Sequence, residues 1–487
     1  MTLAPPATAE RPVSAVPDDR RLPTVIQGGM GVAVSSWRLA RAVSQAGQLG
    51  VVSGTALDLV VARRLQDGDP DGHVRRALDH FPVPSMAEHV LHKYYRPEGR
   101  AGRPYAPVPK LGLKPKPGAA ELAVVANFAE VWLAKEGHDG LVGINFLEKI
   151  QLATPSAAYG AMLAGVDYVL MGAGIPVEIP NLLTRLARHE PVALSIHVDG
   201  ATKPYALGLD PEELTGGGLA PLRRPRFLAI ISAHVLAARL ARDEITRPDG
   251  FVVEGPPAGG HNAPPRGRMV LDDDGQPVFG VRDQADLAKV AEVGLPFWLA
   301  GGYSTHEQVD RALALGAVGV QVGSLFALSE ESGLREDLRR EMLAELAEGR
   351  LEVRTDPRAS PTGFPFKVAT LPGTQSDPEV YAARPRLCDI GHLRVPFEKE
   401  QGSLGYRCPS EPVHMWLKKG GAEPETVGRK CLCNALLADV GLGQERKDGY
   451  RETPLATLGA DLDGVAKLLA THPDGWTAAE AVAHLIG

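Results

Sequence analysis

The chain has 487 residues, 44% of them hydrophobic and 23% charged, with a formal net charge of −7. This composition suits a globular protein able to bury a large core. It holds no basic excess to attract nucleic acid or an anionic membrane, and no run approaches the ~18 apolar residues of a membrane span.

Residues 1–20 are rich in Pro and Ala and lack the apolar stretch of a secretory signal, so they read as a flexible tail and the expected location is the cytoplasm. From residue 21 short apolar runs alternate with helical patterns. "TVIQGG" (24–29) is a strand, followed by a helix over 35–47 with Ser35 or Ser36 as N-cap and Gly47 as its stop. "LGVVSG" (49–54) is the next strand, and a long excursion over 56–118 follows it. Residues 119–136 have helical periodicity, "LVGINF" (141–146) is a strand and 156–165 a helix. "DYVLMGAG" (167–174) precedes a helix over 178–189. A Pro/Gly-rich insertion over 199–225 follows "VALSIHVDG", so that run reads as an inserted strand or hairpin and "RFLAIIS" (226–232) as the next strand of the main series. A helix over 233–242, then "FVVEG" (251–255), "PFWLAGG" (296–302), a helix over 305–316 and "AVGVQVG" (317–323) complete the series.

Eight strands, apolar throughout, are expected to be buried on both faces of a parallel sheet. Eight β/α units over residues 21–350 predict a TM (β/α)8 barrel, with an open doubly wound sheet as the structural alternative. Residues 351–487 are dense in Pro, Gly, Arg and Cys until "CLCNALLADVG", and then show two short helices. They read as an extension packed on the barrel.

In such a barrel the chemistry lies at the C-terminal ends of the strands. The first strand ends in Gly28-Gly29-Met30, the third in Asn145, the seventh in Gly301-Gly302 and the eighth in Gly323-Ser324. Glycines let backbone N–H groups approach a ligand closely, and the paired loops after the last two strands suit a phosphate. Ordinary turn glycines are the alternative. Asn145 offers hydrogen bonds to a heterocycle edge or makes an Asx turn, and Met30 lines the cofactor or merely packs the rim. The sixth strand runs through Gly259-Gly260 to His261. The bare backbone leaves room for a flat ligand, and the imidazole can move a proton near neutral pH. His197 and His234 are weaker candidates. Arg266 and Arg268 are expected to be exposed loop charges, as "LRRPRF" (222–227) is.

"IQGGMG", "GINF", "VVEGPPAGGH", "LAGGYS" and "VGVQVGSLF", in this order, resemble the nitronate monooxygenase (2-nitropropane dioxygenase-like) family of FMN-binding TIM barrels. The resemblance covers about residues 22–330. It implies an FMN-dependent oxidoreductase with its phosphate at Gly301, Gly302, Gly323 and Ser324. The isoalloxazine would lie along Gly28, Gly29 and Met30, with Asn145 near its polar edge. His261 matches the family's catalytic histidine, which would take the α-proton or hold the substrate anion. The implied reaction is oxidation of a small activated carbon acid, an alkyl nitronate type, with O2. Two departures matter: Pro257 stands where family members often have Glu, and "QGGM" is similar to the flavin-dependent enoyl reductase branch. The insertion over 199–225 also resembles trans-acting enoyl reductases. That branch implies NAD(P)H as reductant, fatty acid or polyketide thioesters as substrate, an acyl carrier protein as partner, and Arg266 and Arg268 facing a nucleotide or pantetheine phosphate. A flavin-binding partner subunit without turnover is a third reading. A homo-oligomer is left open.

Cys388, Cys408, Cys431 and Cys433 are the only cysteines, spaced C-x19-C-x22-C-x-C. Four thiols in one region raise a zinc or iron–sulfur site, although the spacing lacks paired C-x2-C knuckles. Buried thiols acting as small hydrophobes are the other reading, with a disulfide or a redox C-x-C pair as a third.

Overall fold

The computed structural model describes residues 22–114, 116, 118–400 and 402–487. The tail expected over residues 1–20 lies outside the described residues. Eight strands form one parallel sheet: β1 (Val25–Gln27), β2 (Gly50–Ser53), β3 (Val142–Leu147), β4 (Tyr168–Gly172), β5 (Arg226–Ile231), β6 (Gly250–Glu254), β7 (Phe297–Ala300) and β8 (Gly319–Val322). Each pairs with its neighbour in sequence, and β8 pairs back to β1 with Val25 opposite Val320. A parallel bridge, Ile26 to Leu49, joins β1 to the start of β2. Gln27 N–H donates to Leu49 O at 3.0 Å, and Leu49 N–H to Val25 O at 3.1 Å. The sheet is therefore a closed barrel.

The strands read as continuous apolar runs because alternate residues enter two different cores. Ile26, Val51, Leu170, Leu228, Val252 and Trp298 fill the barrel interior. Their neighbours Val25, Val52, Val169, Phe227, Phe251 and Phe297 pack outward under the helices. Trp298 is fully buried and its Nε1–H donates to Pro23 O at 2.8 Å.

The helices Trp37–Gln45, Ala119–Lys135, Thr154–Leu163, Ile179–Leu186, His234–Ala241 and His306–Ala314 fall where periodicity places them. Ser36 is the N-cap of the first, but its side chain makes no capping bond. The rhythm fails in two places. The 56–118 excursion contains helices Leu57–Gln66, His73–Leu78 and Pro84–Tyr94. After β6 no full helix follows, only a loop and the five-residue helix Leu287–Ala291.

The 199–225 region begins within an antiparallel hairpin, Val192–Ile196 with Tyr205–Leu209. It docks on a hairpin of the C-terminal region, Val395–Glu398 with Leu404–Arg407, through Asp199 N–H to Pro396 O at 2.9 Å. A further hairpin, Val353–Asp356 with Phe366–Ala369, is stitched to the loop after β6. Lys367 N–H donates to Gly260 O at 2.8 Å and Asn262 N–H to Pro365 O at 2.9 Å. Among the described residues no helix is long and apolar enough to cross a membrane.

Candidate active site at the strand ends

The C-terminal ends of the strands surround a cleft of about 1340 Å³. Gly28, Gly29, Met30, Asn145, Gly259, Gly260, His261, Gly301, Gly302, Gly323 and Ser324 all line it. These residues were singled out at separate points of the chain. The barrel brings all of them to one cavity.

The turn after β1 is braced from below. Buried Ser35 donates its hydroxyl to Gly28 O at 2.8 Å and accepts from Met30 N–H at 2.9 Å. A Cβ on Gly29 would stand 2.4 Å from Asn145 Cβ, so only glycine fits this approach of two strand ends. Asn145 Nδ2 donates to Gly29 O at 3.2 Å. Its Oδ1, and the Oε1 of Gln321 on β8, are buried without a hydrogen-bond partner, and both residues line the cleft. Each orphan oxygen costs about 1–3 kcal/mol unless a ligand donates to it.

Gly301 has φ +85°, and a Cβ there would meet Gly255 O at 2.8 Å and Ala258 N at 2.9 Å. The following helix starts in a capping box. Thr305 Oγ1 accepts from Gln308 N–H, and Gln308 Oε1 accepts from Thr305 N–H at 3.0 Å. This fixes the path of the glycine turn. Orphan carbonyl oxygens and a glycine cradle in one cleft suit a flat heterocycle with an N–H donor and a phosphate tail, the description of FMN.

His261 is half-buried. Its Nε2 is 2.7 Å from Ser360 Oγ, and its ring lies edge-on to Phe366 with centroids 4.9 Å apart. Burial, with a smaller contribution from the Lys149 charge, pushes its pKa down to about 4. The imidazole is therefore neutral over the physiological range.

Glu254, the last residue of β6, also lines the cleft. Burial pushes its pKa up to about 8, so it carries a proton at neutral pH. It went unread in the sequence, although an acidic residue closing an apolar barrel strand is a signal. Phe366, Leu436, Thr457 and Asp461 reach the cleft from beyond residue 351, and nothing local in the sequence marks them.

The weaker candidates lie elsewhere. His197 is exposed and pairs with Asp199 Oδ1 at 3.1 Å. His234 begins its helix and accepts from Asp286 N–H at 3.3 Å. Arg266 is tied to the loop, its N–H donating to Asp283 Oδ1 at 2.7 Å and its Nη2 to Ser232 O at 3.3 Å, and Arg268 is exposed.

The metal reading of the cysteines finds no supporting geometry. Among the described residues no group of three or more His, Cys, Asp or Glu side chains is placed to hold a metal ion. Cys388, Cys408, Cys431 and Cys433 are free. Burial, with a smaller contribution from the neighbouring thiols, pushes the Cys388 thiol up to about 11 and Cys408 and Cys433 upward as well.

Fold and site define an α/β barrel protein with its ligand cleft at the strands' C-terminal ends. Residues 224–359, from β5 into the first hairpin of the C-terminal region, match the family model of nitronate monooxygenase, a family of flavin-dependent oxidoreductases. One curated relative, (3aS,4S,5R,7aS)-5-hydroxy-7a-methyl-1-oxo-octahydro-1H-indene-4-carboxyl-CoA dehydrogenase of Rhodococcus jostii (strain RHA1), is 26% identical over 207 residues. That is 40% of this chain and 54% of the relative, so the chain spans about half of that protein. Similar solved structures include nitroalkane oxidase from Streptomyces ansochromogenes, with TM-score 0.46, 15% identity and coverage of 95% of this chain and 94% of that one. FabK from Thermotoga maritima has TM-score 0.45, 16% identity and coverage of 95% and 91%. The enoyl reductase domain of MlnA from Bacillus amyloliquefaciens has TM-score 0.42, 12% identity and coverage of 96% and 94%.

Proposed function

We propose that the protein is an FMN-dependent oxidoreductase that oxidises a small alkyl nitronate, the anion of a nitroalkane carbon acid, with O2. The observation that carries this reading is the single cleft joining the orphan oxygens of Asn145 and Gln321, the glycine cradle of β7 and β8, and His261. Bound FMN supplies the electron acceptor and the route to O2. The chain supplies position and proton control. Gly28–Met30 would offer a backbone shelf for the ring system, and one of the orphan oxygens of Asn145 and Gln321 would accept from the single N–H of the oxidised ring. The Ser360 contact fixes Nε2 of His261, which leaves Nδ1 to meet the substrate. A neutral imidazole there can accept the α-proton of a carbon acid or donate a hydrogen bond to its anion.

One observation favours a second reading. Glu254 presents a protonated carboxyl to the same cleft. An acid of that kind suits proton delivery to the α-carbon of an enoyl thioester after hydride has added at its β-carbon, as in NAD(P)H-dependent reduction of a thioester delivered on a carrier protein.

The test is anaerobic mixing of the purified protein, loaded with FMN, with an alkyl nitronate, NADPH and NADH in turn. Loss of the flavin band near ~450 nm with the nitronate alone supports the first reading. Loss with a nicotinamide makes the protein a reductase. A flavin band that responds to none of them leaves a binding subunit without turnover, and failure to bind FMN at all removes the proposal.

A further inference from the structure

The C-terminal region sends a short segment across the phosphate end of the cleft. Thr457 Oγ1 accepts from Gly260 N–H at 3.1 Å, and Ala460 N–H donates to Pro257 O at 2.8 Å. Gly459 N–H donates to Ser324 Oγ at 2.9 Å. The segment is therefore bonded both to the loop after β6 and to the hydroxyl at the end of β8. Gly459 comes so close that a Cβ on it would meet Pro257 O at 3.2 Å and Ser324 Oγ at 3.3 Å. Asp461 is held by two donors. Gln308 Nε2 reaches its Oδ2 at 3.2 Å, and Asp463 N–H reaches its Oδ1 at 3.1 Å. A Cβ on Gly302 would stand 3.4 Å from Asp461 Oδ2, so the carboxylate borders the glycine cradle directly.

We propose that residues 457–461 form the closing wall of the cofactor site, with Gly459 fixing the height of the phosphate slot and the Asp461 carboxylate setting a charge limit on what it accepts. The inference rests on the FMN reading above. Gly459 gives Ser324 an acceptor role toward the wall, which leaves the serine's own O–H to donate to a phosphate. Asp461 places a negative charge beside a dianion, held there by bonds to Gln308 and Asp463 that do not depend on the ligand. The site thus binds the phosphate through N–H and O–H donors while keeping its net affinity below what the cradle alone would allow. A ligand whose phosphate is extended, as in the pyrophosphate and adenosine of FAD, meets the first limit, being too long for the slot.

Apoprotein of full length is titrated with FMN, riboflavin and FAD, following quenching of flavin fluorescence. In Asp461→Asn the FMN dissociation constant is expected to fall about five- to tenfold, the size of one like-charge contact at a protein surface, with riboflavin unchanged. In Gly459→Val it is expected to rise at least about tenfold, because the added side chain crowds Pro257 O and Ser324 Oγ, while a far-ultraviolet circular dichroism spectrum like that of the wild type shows that the apoprotein still folds. FAD is expected to bind the wild type weakly. FMN affinities unchanged in both variants, or FMN and riboflavin shifting equally in Asp461→Asn, overturn the wall and its charge limit. A wild type that binds FMN while the variants behave this way leaves the flavin reading standing. A wild type that binds no flavin removes both.

Discussion

Two titratable residues at the end of one strand are tuned in opposite directions, and their effects separate by pH. Glu254 keeps its proton to about pH 8 in the folded protein, against an ordinary value of 4.5. Between those values the folded state holds a proton that the unfolded state has lost, so stability falls as pH rises through the window. His261 is lowered to about 4 from 6.5, so its contribution rises with pH between those values and is complete above them. Urea midpoints at about pH 6.5 and about pH 8.5, compared between the wild type and Glu254→Gln, therefore read Glu254, because other groups that titrate there, such as Lys367, are common to both. The wild type is expected to lose stability across that interval, and Glu254→Gln to lose less. Equal slopes would place the Glu254 carboxyl in water. His261→Ala is expected to retain FMN and lose at least about 100-fold in turnover, the low end for proton-transfer catalysis. Full activity in that variant would take the imidazole out of the mechanism. At this scale the sequence shows His261 and the glycines because each ends a recognisable strand. Gln321 stayed hidden because one polar residue inside "VGVQVG" reads as a strand position, not a ligand contact.

The strands of the barrel were legible because both their faces are buried, which leaves almost no polar residue to blur the pattern. The helices Leu57–Gln66 and His73–Leu78 were not, since their Arg, Asp and His residues break the apolar period. Arg63, Asp58 and Gln66 are in fact buried. A polar residue that finds its partner in a distant segment looks, in sequence, like one facing water. The element that matters most to the cleft is the helix His306–Ala314, because its capping box sets the direction of Gly301-Gly302. Thr305→Ala is expected to cost about 1 kcal/mol of stability and to weaken FMN more than riboflavin. A variant that loses stability but binds both flavins as before would separate the cap from the cradle. Gly29→Ala acts at the facing elements, where the Asn145 clash is expected to push β1 and β3 apart and abolish flavin binding.

At the scale of the whole molecule, the region beyond residue 351 behaves as part of the barrel. The excursion after β2 and the C-terminal region meet in a buried pair, Asp58 Oδ1 to His392 Nε2 at 2.9 Å, both side chains under 10% exposed. Burial alone would raise the Asp58 pKa, but the charge and hydrogen bond of His392 outweigh it and hold the carboxyl below its ordinary value. A depressed carboxyl contributes stability above its unfolded pKa, and that contribution is lost as pH falls. Trp476, fully buried, donates to Leu325 O at 2.9 Å directly beneath the β8 loop. Leu436 and residues 457–461 complete the cleft itself. Such contacts leave no seam along which the two regions could part, so denaturation is expected to be one transition. Tryptophan fluorescence and flavin release should then share a midpoint. Asp58→Ala is expected to lower that midpoint for both signals together, by about 3 kcal/mol of stability, even though the residue is remote from the glycine cradle. Flavin released well before tryptophan exposure would show a C-terminal region that unfolds alone, and the cleft would then be a site assembled by docking rather than by folding.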